Sequence, residues 1–395
     1  MPQALTITQT PGKPGTVYYP LSITAVPTPS LDRPTQLLLR ILTASLNHRD
    51  LFIRQHLYPG TSFSPVPLLA DGCGLVVAAG AAPSAQSWLG KRVVINPGTG
   101  WRDDVHGPEE EEEKEEEGSH GSGRGARYRI LGGTEENPNG TGQEYMAIEA
   151  GEVEEAPTHL ADAEAAALPL TGLTAWRALM VKVGPAKLGT GTRLLVTGIG
   201  GGVALMALTF AVAMGTEVWV TSGSEDKIQR AVQLGARGGL SYREDGWEKK
   251  LLGLVRDGGN AATTRTPLFD AIVDGAGGDV VEKGAKILKP GGVIVSYGMT
   301  LGPKMPFLMQ AVLKNIELKG STMGSRREFQ EMIEFVRQKE IKPVISRTVQ
   351  GLDNIEAIDD LFEDMKKGNQ FGKLVIEIAR DDGTTTTTTT SGSKL

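Results

Sequence analysis

Cysteine is nearly absent: Cys73 is the sole one in 395 residues. That excludes an internal disulfide framework and any zinc site built from clustered cysteines. There is no G-x-x-x-x-G-K-[ST] run, which argues against an ATPase. No stretch is long and apolar enough to span a membrane, and no secretory signal pattern opens the chain. A strong overall charge is also missing. The formal net charge is −6, but Glu109 to Glu117 alone holds eight Glu and one Lys. The remainder is nearly neutral, and neither part has the basic footprint of a nucleic-acid binder.

Glycine, by contrast, is abundant, with 51 residues, and hydrophobic residues make up 39%. This composition suits an α/β protein rich in glycine turns. Its most informative segment is Leu194-Leu195-Val196-Thr197-Gly198-Ile199-Gly200-Gly201-Gly202-Val203-Ala204. An apolar strand-like run ends in glycines, and a helix-like run, Val203 to Met214, follows. Glycine lets the backbone turn sharply and approach a pyrophosphate, while the helix start offers free N–H groups and a positive dipole end. Ser222 lies twenty positions beyond Gly202, at the end of a second strand, where an adenosine ribose is read. Gly200, Gly201, Gly202 and Val203 are therefore candidate cofactor contacts. The bland alternative is a β–α turn that binds nothing.

Residues 1–160 read as short strands broken by Pro and Gly: Gln36 to Leu46, Leu68 to Val77, and Arg92 to Ile95. Residues 102–142 carry the acidic block and a Ser/Gly stretch without periodicity, which predicts a disordered surface loop. From Asp162 the pattern changes. A helical run at Asp162 to Ala167 and another at Thr174 to Val183 lead into alternating strands and helices as far as Tyr297. That rhythm predicts a doubly wound parallel sheet, a Rossmann-type α/β domain over 161–320. Residues 321–380 read as a return segment completing the first domain. Residues 381–395 read as a flexible tail ending Ser393-Lys394-Leu395. At a true C-terminus that tripeptide is an address read by the peroxisomal import receptor. The expected location is thus the peroxisome, with the cytoplasm as the alternative.

The chain resembles the medium-chain dehydrogenase/reductase superfamily, in its zinc-independent quinone oxidoreductase and enoyl reductase branch. The resemblance spans about 35–380. It rests on Ala44-Ser45-Leu46-Asn47-His48-Arg49-Asp50-Leu51, Ala70-Asp71-Gly72-Cys73-Gly74, Arg92 to Pro97, Glu164 to Trp176, the glycine turn and Gly372-Lys373-Leu374-Val375. It implies a GroES-like, mostly-β catalytic domain over 1–160 beside the dinucleotide domain. Zinc-dependent members hold their catalytic metal with cysteines and a His-Glu pair. The matching positions here resemble Asn47, Ala70-Asp71 and Ala167, which cannot supply a tetrahedral donor set. No metal residue is therefore expected. The resemblance also allows for a homodimer.

Ser222 replaces the acidic residue that would accept from an NAD ribose and repel a 2′-phosphate. With Ser224, Lys227 and Tyr242 it points to NADP(H). Ser222 and Glu225 as a helix capping box is the structural alternative. By resemblance, Thr171 lies beside the cofactor, Asn47 near the nicotinamide, and Tyr58 in the loop that lines the substrate cleft. Asn47 and Tyr58 are the candidate catalytic residues, since a hydrogen-bond donor lowers the barrier to charge on a substrate oxygen. Equally, Asn47 could only hold a turn and Tyr58 could be a loop aromatic. Two functions stay open: an NADPH-dependent, metal-independent reductase of quinones or α,β-unsaturated carbonyls, and a non-catalytic NADPH-binding interaction protein of the same fold.

Overall fold

The computed structural model describes residues 1–109, 128–257 and 268–378. Most of the acidic block and the Ser-Lys-Leu ending lie outside the described residues.

Two sheets organise the chain. In the first, strands Arg193–Val196, Glu217–Ser222, Gly238–Ser241, Phe269–Asp274, Leu288–Ser296 and Glu317–Gly320 form a six-stranded, all-parallel sheet. Arg193–Val196 and Phe269–Asp274 lie at its centre, where the chain reverses direction across the sheet. Both strands are short and apolar because helices cover both faces. The helix Gly202–Ala213 has buried residues around most of its circumference, from Ala204 to Ala211. It packs between the sheet and the helix Pro169–Arg177.

The second sheet has seven strands. Gln36–Ser45 pairs antiparallel with Asp71–Ala79, with Tyr145–Glu149 and with Lys373–Glu377. Lys373–Glu377 in turn runs parallel to Ile345–Gln350. The chain's late strands thus complete the sheet that its early strands begin. Buried residues alternate along Gln36–Ser45, as expected when one face meets the core. The architecture is a GroES-like β-domain joined to a Rossmann-type sheet.

Several expectations need correction. The strand anticipated at Leu68 to Val77 begins at Asp71 and ends at Ala79. The helix anticipated at Thr174 to Val183 starts earlier, at Pro169. It ends at Arg177 and continues as a π-helical turn, Ala178–Val183. In the return segment, Arg326–Lys339 buries Phe329, Met332, Ile333 and Val336 in the dinucleotide-sheet core, not in the first domain.

The largest correction concerns 102–142. Of its described parts, 128–142 is packed, whereas 102–106 are exposed and 107–109 partly exposed. Leu131, Thr134 and Thr141 are buried, and Thr141 donates its hydroxyl to the carbonyl of Asp71 at 2.8 Å. Arg49 donates to the carbonyls of Leu131 and Gly132 at 2.8 and 2.9 Å. A Cβ on Gly132 would lie 2.4 Å from the carbonyl oxygen of Leu69, so glycine here serves close approach. The same composition reads as disorder in sequence. At the other end, the Glu109 carboxylate accepts from the N–H groups of Arg102, Asp103 and Asp104. Slight burial opposes its ionisation, but these N–H groups outweigh it and lower its pKa to about 2.

Candidate functional site

A cleft of about 450 Å³ lies between the two sheets. Gly198, Gly201, Gly202 and Val203 line one side; Asn47, Tyr58, Thr171 and Lys373 line the other. Phe52, Ile130, Leu170, Met323 and Met365 add apolar wall.

The glycine turn follows from its sequence. Strand Arg193–Val196 ends, Gly198 takes a φ of 62°, and Gly201 caps the helix that starts at Gly202. The first N–H groups of that helix have no partner within the helix. A Cβ on Gly202 would lie 2.8 Å from Thr171 Cγ2 and 3.0 Å from Lys373 Cδ. The turn is therefore a cradle that any larger side chain would fill, and it fits a dinucleotide pyrophosphate. Gly200 lies just behind it; its carbonyl accepts from the N–H of Gly372 at 3.0 Å, which stitches the turn to the last strand. Thr171 spends its hydroxyl on the carbonyl of Ala167 at 3.1 Å and presents its methyl to the turn.

Ser222, Ser224 and Tyr242 gather separately, at the end of strand Glu217–Ser222. Ser222 is buried, donates to the carbonyl of Ile199 at 3.3 Å and accepts from Ser224 N–H at 3.3 Å. The N-cap of helix Glu225–Gln233 is Ser224, so the Ser222–Glu225 capping box does not form. A Cβ on Gly223 would lie 2.6 Å from the Tyr242 hydroxyl and 3.0 Å from Arg243 Nε. Arg243 thus joins this group, a residue that sequence reading missed. Lys227 reaches instead toward the other half of the molecule and donates to the carbonyl of Gly368 at 2.7 Å.

Asn47 is the N-cap of helix His48–Arg54, and its N–H donates to the Asp50 carboxylate at 2.8 Å. Its side chain does more than hold a turn. The amide donates to Asp71 Oδ2 at 2.9 Å and accepts from Lys373 Nζ at 2.8 Å. Lys373 Nζ also lies 2.8 Å from Asp71 Oδ2, and both side chains are almost fully buried. Lys373 and Asp71 are the functional candidates that sequence reading passed over. The clues were Gly372-Lys373-Leu374-Val375 and Ala70-Asp71-Gly72-Cys73-Gly74, noted for resemblance but given no catalytic role. Tyr58 is half-buried in the cleft wall, its ring under the Arg49 guanidinium at 4.6 Å. Beside the cleft, burial lowers the His48 pKa and raises that of Asp274, whose carboxylate accepts from Thr197, Ala276 and Gly277. Cys73 is buried, and burial pushes its thiol up to about 12, which leaves it inert as a nucleophile.

A glycine-turn dinucleotide sheet facing a β-domain across one cleft defines a nucleotide-dependent oxidoreductase. The chain matches two family models: "Zinc-binding dehydrogenase" over residues 202–338 and "Alcohol dehydrogenase GroES-like domain" over 33–158. It is 47% identical to the zinc-type alcohol dehydrogenase-like protein YogA of Leptosphaeria maculans, over 96% of this chain and 100% of that one. It is 27% identical to the zinc-type alcohol dehydrogenase-like protein C1773.06c of Schizosaccharomyces pombe, over 87% and 91%. A crystal structure of an NAD-dependent alcohol dehydrogenase superposes with a TM-score of 0.74 at 29% identity, over 96% of this chain and 100% of that one. The chain belongs to the zinc-type alcohol dehydrogenase-like proteins of the medium-chain dehydrogenase/reductase superfamily, whose cofactor is a nicotinamide dinucleotide.

The metal in those family names is not matched by the donors here. Asn47 and Asp71 are engaged with an ammonium group, and Ala70 and Ala167 have no donor atoms in their side chains. No cluster of three His, Cys, Asp or Glu able to hold an ion occurs among the described residues. This set does not fit a tetrahedral zinc ion.

Proposed function

We propose that this protein is an NADPH-dependent, metal-independent reductase of quinones or α,β-unsaturated carbonyl compounds. The observation that carries the reading is the shared cleft: the glycine turn and the Asn47–Lys373 group open onto the same largely apolar space. A protein that only stored a nucleotide would have no use for a buried Lys–Asn–Asp group facing the same chamber as its glycine turn.

When bound, the reduced nicotinamide would supply a hydride. The protein's own part is positioning and exclusion of water. The glycine turn and the N–H groups of helix Gly202–Ala213 would hold the pyrophosphate. Ser222, Ser224, Tyr242 and Arg243 would receive a 2′-phosphate, as a serine and not a carboxylate ends strand Glu217–Ser222. Leu170, Ile130 and Met323 would flank a flat conjugated substrate, and the Tyr58 hydroxyl or water would provide a proton.

The test is NADPH oxidation followed at 340 nm with a panel of quinones, enones and aldehydes, with and without chelator. Turnover of quinones or enones that survives chelation supports the reading. NADPH binding without turnover of any of them would favour the non-catalytic binding protein.

A further inference from the structure

The surroundings of Lys373 give it a task of its own. Its stem leaves the last strand and passes against Gly202, 3.0 Å from where a Cβ there would sit. Its ammonium ends 2.8 Å from both Asn47 Oδ1 and Asp71 Oδ2. An ammonium has three donors. Two are spent on these oxygens, and no third acceptor lies within hydrogen-bond reach among the described residues, although Lys373 lines the cleft. Asp71 is held on every side. Besides Lys373 it accepts from Leu170 N–H at 2.8 Å, from Asn47 Nδ2 at 2.9 Å and from Ser45 Oγ at 3.3 Å. The counter-charge is therefore fixed, and it fixes the ammonium in turn. Lys373 is 5% exposed, so its field acts where water screens it little.

We infer that Lys373 takes the place of the metal: its ammonium is the fixed cation and donor that receives the substrate's carbonyl oxygen, positioned by Asn47 and Asp71. As charge gathers on that oxygen during reduction, the third N–H of Lys373 meets it. The proton that completes the reduction comes from water or Tyr58, so Lys373 ends each cycle protonated. The inference rests on the reductase reading, but its site can be tested apart from turnover.

The experiment compares the full chain with Lys373→Met, Lys373→Arg and the pair Lys373→Met/Asp71→Asn, which removes the stranded counter-charge if the single variant fails to fold. Three quantities are read: kcat and KM, the NADPH dissociation constant, and the visible spectrum of 4-nitrophenol bound to the NADP⁺ complex as an oxyanion mimic. The expected result is a kcat lowered about 100-fold or more in both Met variants, with NADPH affinity held within about threefold. The dye should bind ionised in the unchanged protein, largely ionised in Lys373→Arg, and neutral in the Met variants. A dye spectrum that is the same in all forms overturns the inference, whether or not any substrate turns over. So does a loss of NADPH affinity in proportion to kcat, which would place Lys373 on the cofactor's phosphates. A protein that reduces no carbonyl, but whose dye ionisation depends on Lys373, would end the reductase reading and leave the Lys373 site standing.

Discussion

Lys227 and Gly368 are joined across the two halves of the molecule by a 2.7 Å hydrogen bond that passes over the glycine turn. The Lys227 stem lies 2.9 Å from where a Cβ on Gly200 would sit. Gly368 caps the helix Ile355–Lys367 in a left-handed conformation, so the ammonium meets the negative end of that helix. Burial, followed by nearby Arg230, lowers the Lys227 pKa.

On the proposed reading, cofactor choice falls to the group around Ser222. NADPH is expected to bind at least tenfold more tightly than NADH, about 1.4 kcal/mol. Ser222→Asp should reverse the order by repelling the 2′-phosphate, and Arg243→Ala should weaken NADPH without affecting NADH. Fluorescence titration with both nucleotides checks this. Equal affinities in the unchanged protein would contradict it.

Metal content is a second check. With Asn47, Ala70, Asp71 and Ala167 at the relevant positions, the purified protein should carry no stoichiometric zinc by elemental analysis. Chelators should leave its activity unchanged. Activity lost to a chelator and restored by zinc would refute the metal-free reading.

Asp50 makes stability depend on pH. Its carboxyl is fully buried, and that burial, against the opposing pull of Arg49, the Asn47 N–H and Lys373, raises its pKa from 3.8 to about 6. Between these values the folded protein keeps a proton that the unfolded chain has lost. The stabilisation is present at low pH, is lost as pH rises through that window, and changes no further above about pH 6. Urea denaturation of the protein and of Asp50→Asn should show the unchanged protein gaining on the variant as pH falls from 7 to 4.5. The gain should be on the order of 2 kcal/mol. A difference independent of pH would count against this assignment.

Arg177 and Glu328 form a buried pair at 2.6 Å, with side-chain exposures of 1% and 8%. Arg177 also donates to the carbonyl of Val105 at 2.8 Å and lies over the Trp101 ring at 4.3 Å. Glu328→Gln or Arg177→Met should destabilise the fold by about 3–5 kcal/mol, because each leaves its partner buried and uncompensated. Hydrogen exchange should rise in 101–109 for the Arg177 variant. If neither stability nor exchange changes, the pair does not anchor that segment.

The glycine turn and the βα alternation were legible in the sequence because short-range patterns encode them: apolar runs, glycines and helix periods. That Asn47, Ala70 and Ala167 carry no thiolate, imidazole or carboxylate is likewise read from residue type alone. Lys373 was not legible, because its partners Asn47 and Asp71 are 326 and 302 positions away, and a lysine near a chain's end reads as solvated. The stretch 128–142 misled for another reason. Its glycines and asparagine resemble those of a free loop, and nothing local reveals that Gly132 is pressed against Leu69. Arg243 escaped notice because its value lies in the fold of Gly223 beneath it.

Strand Lys373–Glu377 pairs with Thr43 to Ser45 of a strand made at the start of the chain. The dinucleotide sheet, by contrast, is assembled from the continuous stretch 193–320, with the helix Arg326–Lys339 packed on the same core. On the ribosome, all six strands of the dinucleotide sheet are therefore made before the β-domain can close. The chamber between them gains its charged floor only when the final strand emerges. A message cut short after residue 340 would yield a chain that still carries its glycine turn. It would lack Lys373 and leave Thr43 to Ser45 paired only with Asp71 to Cys73, their other edge open to association with other chains.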